Sequence, residues 1–234
     1  MNIIITGASA GIGYEAALLL SKDNTNHVIA VARREDRLKS LKEKAKKKNQ
    51  AANLDYVVGD ISHDNDLAYI SKFIGSKFKK VDILINNAGL LINRPFEELT
   101  ADDWLNIYST NVFGIVNLIR AVLPMMKKGG HIVNISSMGG VQGSVKFKGL
   151  SAYSSSKAAL VNITECLAEE FKEKGIAVNC LALGSANTEM FSAAFPSFKA
   201  AMSAKDMASY VAEFALSGSN YFNGKVIPVS NSTP

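Results

Sequence analysis

The sequence predicts one doubly wound α/β domain over residues 1–234, a parallel sheet of about seven strands with helices on both faces. Three observations carry that prediction. Strand-like and helix-like stretches alternate from end to end. The strand-like stretches are continuous apolar runs, the pattern of strands covered on both faces. A glycine-rich turn stands between the first strand and the first helix. With 47% hydrophobic and 20% charged residues, the chain has ample core material for a globular domain.

The first strand, Ile3–Thr6, runs into Gly7-Ala8-Ser9-Ala10-Gly11-Ile12-Gly13 and a helix expected over Gly11–Lys22. Residues without a Cβ let a pyrophosphate approach the backbone, and the helix N-terminus offers it free N–H groups. Strand, glycine turn, helix is the order of a Rossmann dinucleotide site. A second strand, Val28–Ala32, ends in Arg33-Arg34. Selectivity for NAD usually places an acidic side chain at this point, whereas a guanidinium pairs bidentately with a 2′-phosphate. NADP is therefore the expected cofactor and NAD the alternative. The structural reading of Arg33 and Arg34 is two solvated charges opening the helix Glu35–Lys48.

That helix holds much of the net charge of +5, yet Leu38, Leu41 and Ala45 keep an apolar stripe. No aromatic residues interleave for base stacking, so a solvated basic face is expected and a nucleic-acid partner is not. After a third strand, Asp55–Val58, come Gly59, Asp60 and Ile61. There Asp60 either accepts from an adenine amino group or caps the next turn, ahead of a helix over Asn65–Phe78. A fourth strand, Val81–Ile85, leads to Asn86-Asn87-Ala88-Gly89, small residues and amides suited to a turn that approaches a ligand.

A long helix over Ala101–Lys127 carries Asn111 among apolar neighbours, where an amide is costly unless hydrogen-bonded. A fifth strand, His131–Ser136, delivers Ser136 and Ser137 to the edge where such sheets meet their ligands. In the helix Ser151–Lys174, Tyr153 and Lys157 share a face four residues apart. An ammonium beside a phenol favours the phenolate, so the pair predicts a lowered tyrosine pKa. A sixth strand over Ala177–Ala182, a helix over Lys205–Leu216 and a seventh strand over Lys225–Val229 complete the pattern.

Cys166 and Cys180 are read as buried free thiols, which fits a cytoplasmic location. Met1 directly before the first strand and the lack of a ~20-residue apolar run lead us to expect no targeting segment and no membrane span.

Taken in order, the motifs resemble the short-chain dehydrogenase/reductase family from Ile3 to about Val229. The resemblance rests on Thr6-Gly7, Gly11-Ile12-Gly13, Asp60, Asn86-Asn87-Ala88-Gly89, Asn111, Ser137, and Tyr153 with Lys157. It implies an NADPH-dependent reduction of a ketone or aldehyde. Tyr153 would be the general acid, Ser137 the hydroxyl that orients the substrate oxygen, and Lys157 the holder of the nicotinamide ribose. Asn111 would anchor a water in a proton relay. Gly7, Ser9, Gly11, Ile12 and Gly13 would hold the pyrophosphate region, Arg33 with Arg34 the 2′-phosphate, and Asp60 with Ile61 the adenine. Asn87 and Ala88 would line the adenosine ribose, with Gly89 also in the cofactor site, and Thr188 would meet the nicotinamide carboxamide or phosphate. The resemblance also implies a homodimer or homotetramer packed through the long helices.

Three departures stand out. Val145–Gly149 lengthens the segment between Ser137 and Tyr153. Leu183-Gly184 replaces the family's usual proline-glycine. The tail Asn231–Pro234 lacks the glycine pair that supports family-style tail contacts. A substrate loop is expected at about 185–204, where Met190, Phe191, Phe195 and Phe198 suggest a small or hydrophobic carbonyl or alcohol substrate, or else pack the loop onto the body. The competing readings are an NAD-dependent alcohol dehydrogenase on the same fold and a non-catalytic nucleotide-sensing protein. No metal ligand set stands out.

Overall fold

The structure, a computed structural model, describes residues 1–231; Ser232–Pro234, on which the expectation about the tail rests, lie outside the described residues. In chain order the elements are β1 (Asn2–Thr6), α1 (Gly11–Leu20), β2 (His27–Ala32), α2 (Glu35–Lys48) and β3 (Asn53–Val58). Next come α3 (Asp64–Lys77), β4 (Val81–Asn86), α4 (Ala101–Tyr108), α5 (Gly114–Val122) and β5 (Met126–Ser137). The last third holds α6 (Ser151–Glu170), β6 (Ala177–Leu183), β7 (Ala186–Asn187), α7 (Glu189–Ala194), β8 (Met202–Ser203), α8 (Ala204–Ser217) and β9 (Val226–Val229).

Seven of these strands form one parallel sheet in the order β3-β2-β1-β4-β5-β6-β9. The order reverses direction at β1, between β2 and β4, and a ligand crevice opens at such a switch point. Strand alternation explains the two cores. Ile3 and Ile5 of β1 point to the face covered by α1, α2 and α8, with Leu38, Leu41, Met207 and Val211 around them. Ile4 points to the other face, against α3, α5 and α6, with Ile70, Ile115, Leu118 and Leu160. A strand buried on both sides has no polar position to show, which is why these segments read as unbroken apolar runs.

The long helix expected over Ala101–Lys127 is broken. Between α4 and α5 a π-helical turn spans Ser109–Phe113, a 3₁₀ turn over Leu123–Met125 follows α5, and Met126 already belongs to β5. Apolar spacing carries straight through these changes, so periodicity alone merges them. By length and composition, Ala101–Met125 is a stretch able to cross a membrane. Its Ile115, Leu118, Ile119 and Val122 are buried in the core beneath the sheet. The cysteine expectation is half corrected: Cys180 is buried, but Cys166 is exposed, because it lies off the face of α6 that buries Leu160, Thr164 and Ala168.

Candidate active site

A cleft of about 810 Å³ opens at the carboxyl ends of β1, β2, β4, β5 and β6. Its floor is the glycine turn. Gly7 and Gly11 adopt φ of 68° and 57°, the left-handed region that favours glycine. Ala10 precedes α1 in extended conformation with no side-chain cap, so the first N–H groups of the helix are left for a ligand. Gly13 lies below the cleft rather than on its wall: a Cβ there would stand 2.4 Å from Asn87 Nδ2 and 2.6 Å from the Gly7 oxygen. Asn87 locks the turn by donating from Nδ2 to the Thr6 carbonyl at 2.9 Å. The Asn87 and Ala88 N–H groups both donate to Thr6 Oγ1, at 3.0 and 2.9 Å.

One end of the cleft is charged. Arg33 and Arg34 line it, with Ser9, Asp60 and Ile61 nearby. Arg33 Nη1 donates to Asp60 Oδ2 at 3.2 Å. Burial would push the Asp60 carboxyl up, but hydrogen bonds from Ser62 and the adjacent guanidinium hold it below the usual carboxylate range. Asp60 thus already has protein partners for both oxygens, since Ser62 N and Oγ reach Oδ1 at 2.9 and 2.7 Å.

The other end carries Ser137, Tyr153 and Lys157, with Gly89 against Lys157 and Ala88 and Asn87 also lining the cleft. Local packing sets this end. Gly140 lets α6 approach β5, since a Cβ there would lie 2.6 Å from the Lys157 carbonyl carbon. Ser136 Oγ donates to the Lys157 carbonyl at 2.9 Å. A buried amide chain ties the same layers together: Asn86 Nδ2 donates to Asn134 Oδ1 at 2.8 Å, and Asn134 Nδ2 to Thr164 Oγ1 at 2.9 Å.

The pKa expectation for Tyr153 is reversed. Burial pushes its phenol up to about 12, and the hydrogen bond with Ser137 only draws it back in part. Burial also draws Lys157 down to about 8. Removing a charge from water outweighs a neighbouring ammonium that is itself desolvated.

Asn111 is brought close but not onto the wall. It is fully buried, and its Oδ1 accepts from the Leu90 N–H at 2.7 Å. Its Nδ2 donates to the Leu90 carbonyl and to Ser156 Oγ, both at 2.9 Å. The π-helical turn presents this amide inward, where it clasps the loop after β4 to α6.

Thr188 lines the cleft and caps α7, its Oγ1 accepting from the Phe191 N–H at 3.1 Å. Leu183, standing where the family shows proline, extends β6 by pairing with Ser137 and Val229. The loop over 185–204 folds into β7, α7 and β8 and brings Met190, Phe191, Phe195 and Phe198 to the cleft. Phe147, from the lengthened segment, and Leu150 join them, with Phe147 and Phe198 exposed at the lip. Sequence reasoning missed Glu189, Met138 and Leu90 on the wall; adjacency to Thr188, Ser137 and Gly89 was the available signal.

The short chain dehydrogenase family profile matches residues 1–197. A 3-oxoacyl-(acyl-carrier-protein) reductase FabG of Staphylococcus epidermidis is 28% identical over 241 residues, covering 98% of this chain and 97% of its own. The L-sorbose reductase of Gluconobacter frateurii, solved with NADPH and L-sorbose, superposes with a TM-score of 0.88 at 25% identity, over 99% of this chain and 95% of its own. A short chain dehydrogenase from Burkholderia cenocepacia solved with NADP gives the same TM-score and identity, over 99% of this chain and 96% of its own. With its parallel sheet, glycine turn and cleft in place, this chain belongs to the short-chain dehydrogenase/reductase family of oxidoreductases.

Proposed function

We propose that the protein is an NADPH-dependent carbonyl reductase acting on ketones or aldehydes with an apolar body. The observation that carries this reading is one cleft with Ser137, Tyr153 and Lys157 at one end and two guanidiniums at the other. A nicotinamide dinucleotide fits the residues present. The uncapped N-terminus of α1 and the left-handed Gly7 and Gly11 suit a pyrophosphate, and Arg33 and Arg34 suit a 2′-phosphate. NADP and NADPH in two structural relatives support that choice.

When bound, the cofactor supplies the hydride. Tyr153, kept protonated by burial, holds the proton at its phenol oxygen and donates it to the carbonyl oxygen as negative charge develops there. Ser137 Oγ orients that oxygen, and donors fixed in advance stabilise the charge without reorganising. Lys157 holds the cofactor ribose in this reading, its ammonium anchored on the Ile135 carbonyl at 2.8 Å. The aromatic lip of Phe147, Phe191, Phe195 and Phe198 takes the apolar body and keeps water from the reacting carbonyl.

Fluorescence titration with NADPH and NADH tests the reading. NADPH should bind more tightly, and Arg33→Ala should weaken NADPH by about 10- to 100-fold, the worth of a charge-assisted hydrogen bond, while sparing NADH. Equal affinities in both proteins would point to the NAD-dependent alternative.

A further inference from the structure

The charged end of the cleft holds two guanidiniums, Arg33 and Arg34, with Arg37 beside them outside the cleft, and each already faces a carboxylate of the chain. Arg33 is paired with Asp60. Arg34 Nη1 donates to Glu189 Oε2 at 2.9 Å, and Arg37 Nη2 lies 3.7 Å from Glu189 Oε1. Arg34 also donates from Nε to Ser9 Oγ at 3.2 Å. The Arg34 side chain therefore spans from the glycine turn to the first residue of α7, which lies 155 positions after Arg34 in the chain.

The two carboxylates are held differently. Asp60 is 14% exposed and gripped by the Ser62 N–H and hydroxyl, so it stays where it is when Arg33 moves. Glu189 is 55% exposed, and among the described residues its recorded partners are the two arginines. An exposed ion pair of this kind is weak and screened. A phosphomonoester brings nearly two negative charges and three acceptor oxygens, which a guanidinium fork matches better than a mobile carboxylate does. Glu189 and such an anion also repel each other, so the two cannot comfortably share Arg34.

We propose that Glu189 is a specificity-determining residue that acts as an exchangeable counter-ion: the phosphomonoester of the dinucleotide displaces it from Arg34, and α7 is thereby released from the glycine turn. The proposal rests on the reading of Arg33 and Arg34 as the phosphate clamp. It deepens that reading in two ways. Glu189 lowers affinity for a phosphate-bearing ligand and leaves a phosphate-free one untouched. Because α7 carries Met190 and Phe191 on the cleft wall, recognition of phosphate at one end loosens the substrate end.

Calorimetric titration of wild type and Glu189→Gln with adenosine 2′,5′-bisphosphate and with 5′-AMP tests this. Neither fragment carries a nicotinamide that could itself cover α7. Wild type should prefer the bisphosphate. Glu189→Gln should tighten the bisphosphate about two- to fivefold, the worth of an exposed ion pair, and leave 5′-AMP unchanged. Amide hydrogen exchange over residues 189–198 should rise in wild type with the bisphosphate and not with 5′-AMP. In Glu189→Gln it should be high without ligand. Mere weakening of the first turn of α7 would raise exchange but leave the ratio of the two affinities where it was. An unchanged or smaller ratio in Glu189→Gln, with wild type still preferring the bisphosphate, overturns the exchange and spares the clamp. Equal binding of both fragments by wild type overturns the two together.

Discussion

The Lys157 ammonium lies 5.9 Å from the centre of the Tyr153 ring while it donates to the Ile135 carbonyl at 2.8 Å. It therefore addresses the ring rather than forming an ion pair with a phenolate. Burial, not the cation, keeps the phenol protonated, and a protonated phenol is the state an acid needs before it gives its proton away.

Replacing Tyr153 with phenylalanine removes that proton and little else. Carbonyl reduction, followed as NADPH absorbance, should fall by about 10²- to 10⁴-fold, the usual worth of a positioned general acid. Fluorescence titration should show NADPH binding within a few-fold of wild type. Turnover at the wild-type rate would remove Tyr153 from the reaction.

Burial makes the Lys157 ammonium a source of electrostatic strain in the folded protein. Its pKa falls from 10.5 to about 8 on folding, which corresponds to about 3 kcal/mol against the folded state at neutral pH. Losing the hydrogen bond to Ile135 offsets roughly half of that. Lys157→Met should then raise the melting temperature by about 3–6 °C at pH 7 while abolishing turnover. Between about pH 8 and 10.5 the unfolded chain binds more protons at this site than the folded one, so wild type gains stability as pH rises and the advantage of the variant shrinks. A variant less stable than wild type at pH 7 would contradict this.

His131 is buried at the start of the paired part of β5, its Nδ1 on the Ala215 carbonyl and its Nε2 facing Asn179 Nδ2. Burial holds its pKa below 6.5. The neutral ring contributes stability that is present above pH 6.5 and lost as pH falls through the lower folded value. An NMR titration of the imidazole should give a midpoint below 6.5, with the urea midpoint declining over the same window. A midpoint above 6.5 would reverse the sign.

Gly13→Ala probes the floor of the cleft. The added Cβ would meet Asn87 Nδ2 and the Gly7 oxygen, both of them parts of the locked turn. Overpacking of this kind costs about 1–3 kcal/mol. The urea midpoint should fall accordingly, and NADPH affinity should drop with it as Asn87 leaves Thr6.

The sheet was legible because burial on both faces leaves Ile3-Ile4-Ile5 no polar residue and its counterparts few. Much of the cleft was legible because Gly7, Arg33, Asp60 and Asn87 come directly after strands or within two residues of them, while Tyr153 and Lys157 share a face of α6 four residues apart. What escaped was long-range or local in ways that periodicity does not register. The π-helical turn at Ser109–Phe113 keeps apolar spacing intact while changing the hydrogen-bond ladder. The Arg34–Glu189 pair joins residues with no shared pattern in the chain. The direction of the Tyr153 shift depends on how much water is excluded, a property of the assembled wall and not of the spacing of Tyr153 and Lys157.

The grip of Asn87 and Ala88 on Thr6 has a consequence for how the molecule is made. Thr6 is synthesised before the groups that fasten it, which lie 81 and 82 positions further along the chain. β1 also waits for β4 before it has a neighbour on its second side. The glycine turn, the first of these motifs along the chain, thus lacks its fastening until Asn87 and Ala88 have been made, and no fragment that stops before Asn87 can have its floor in place.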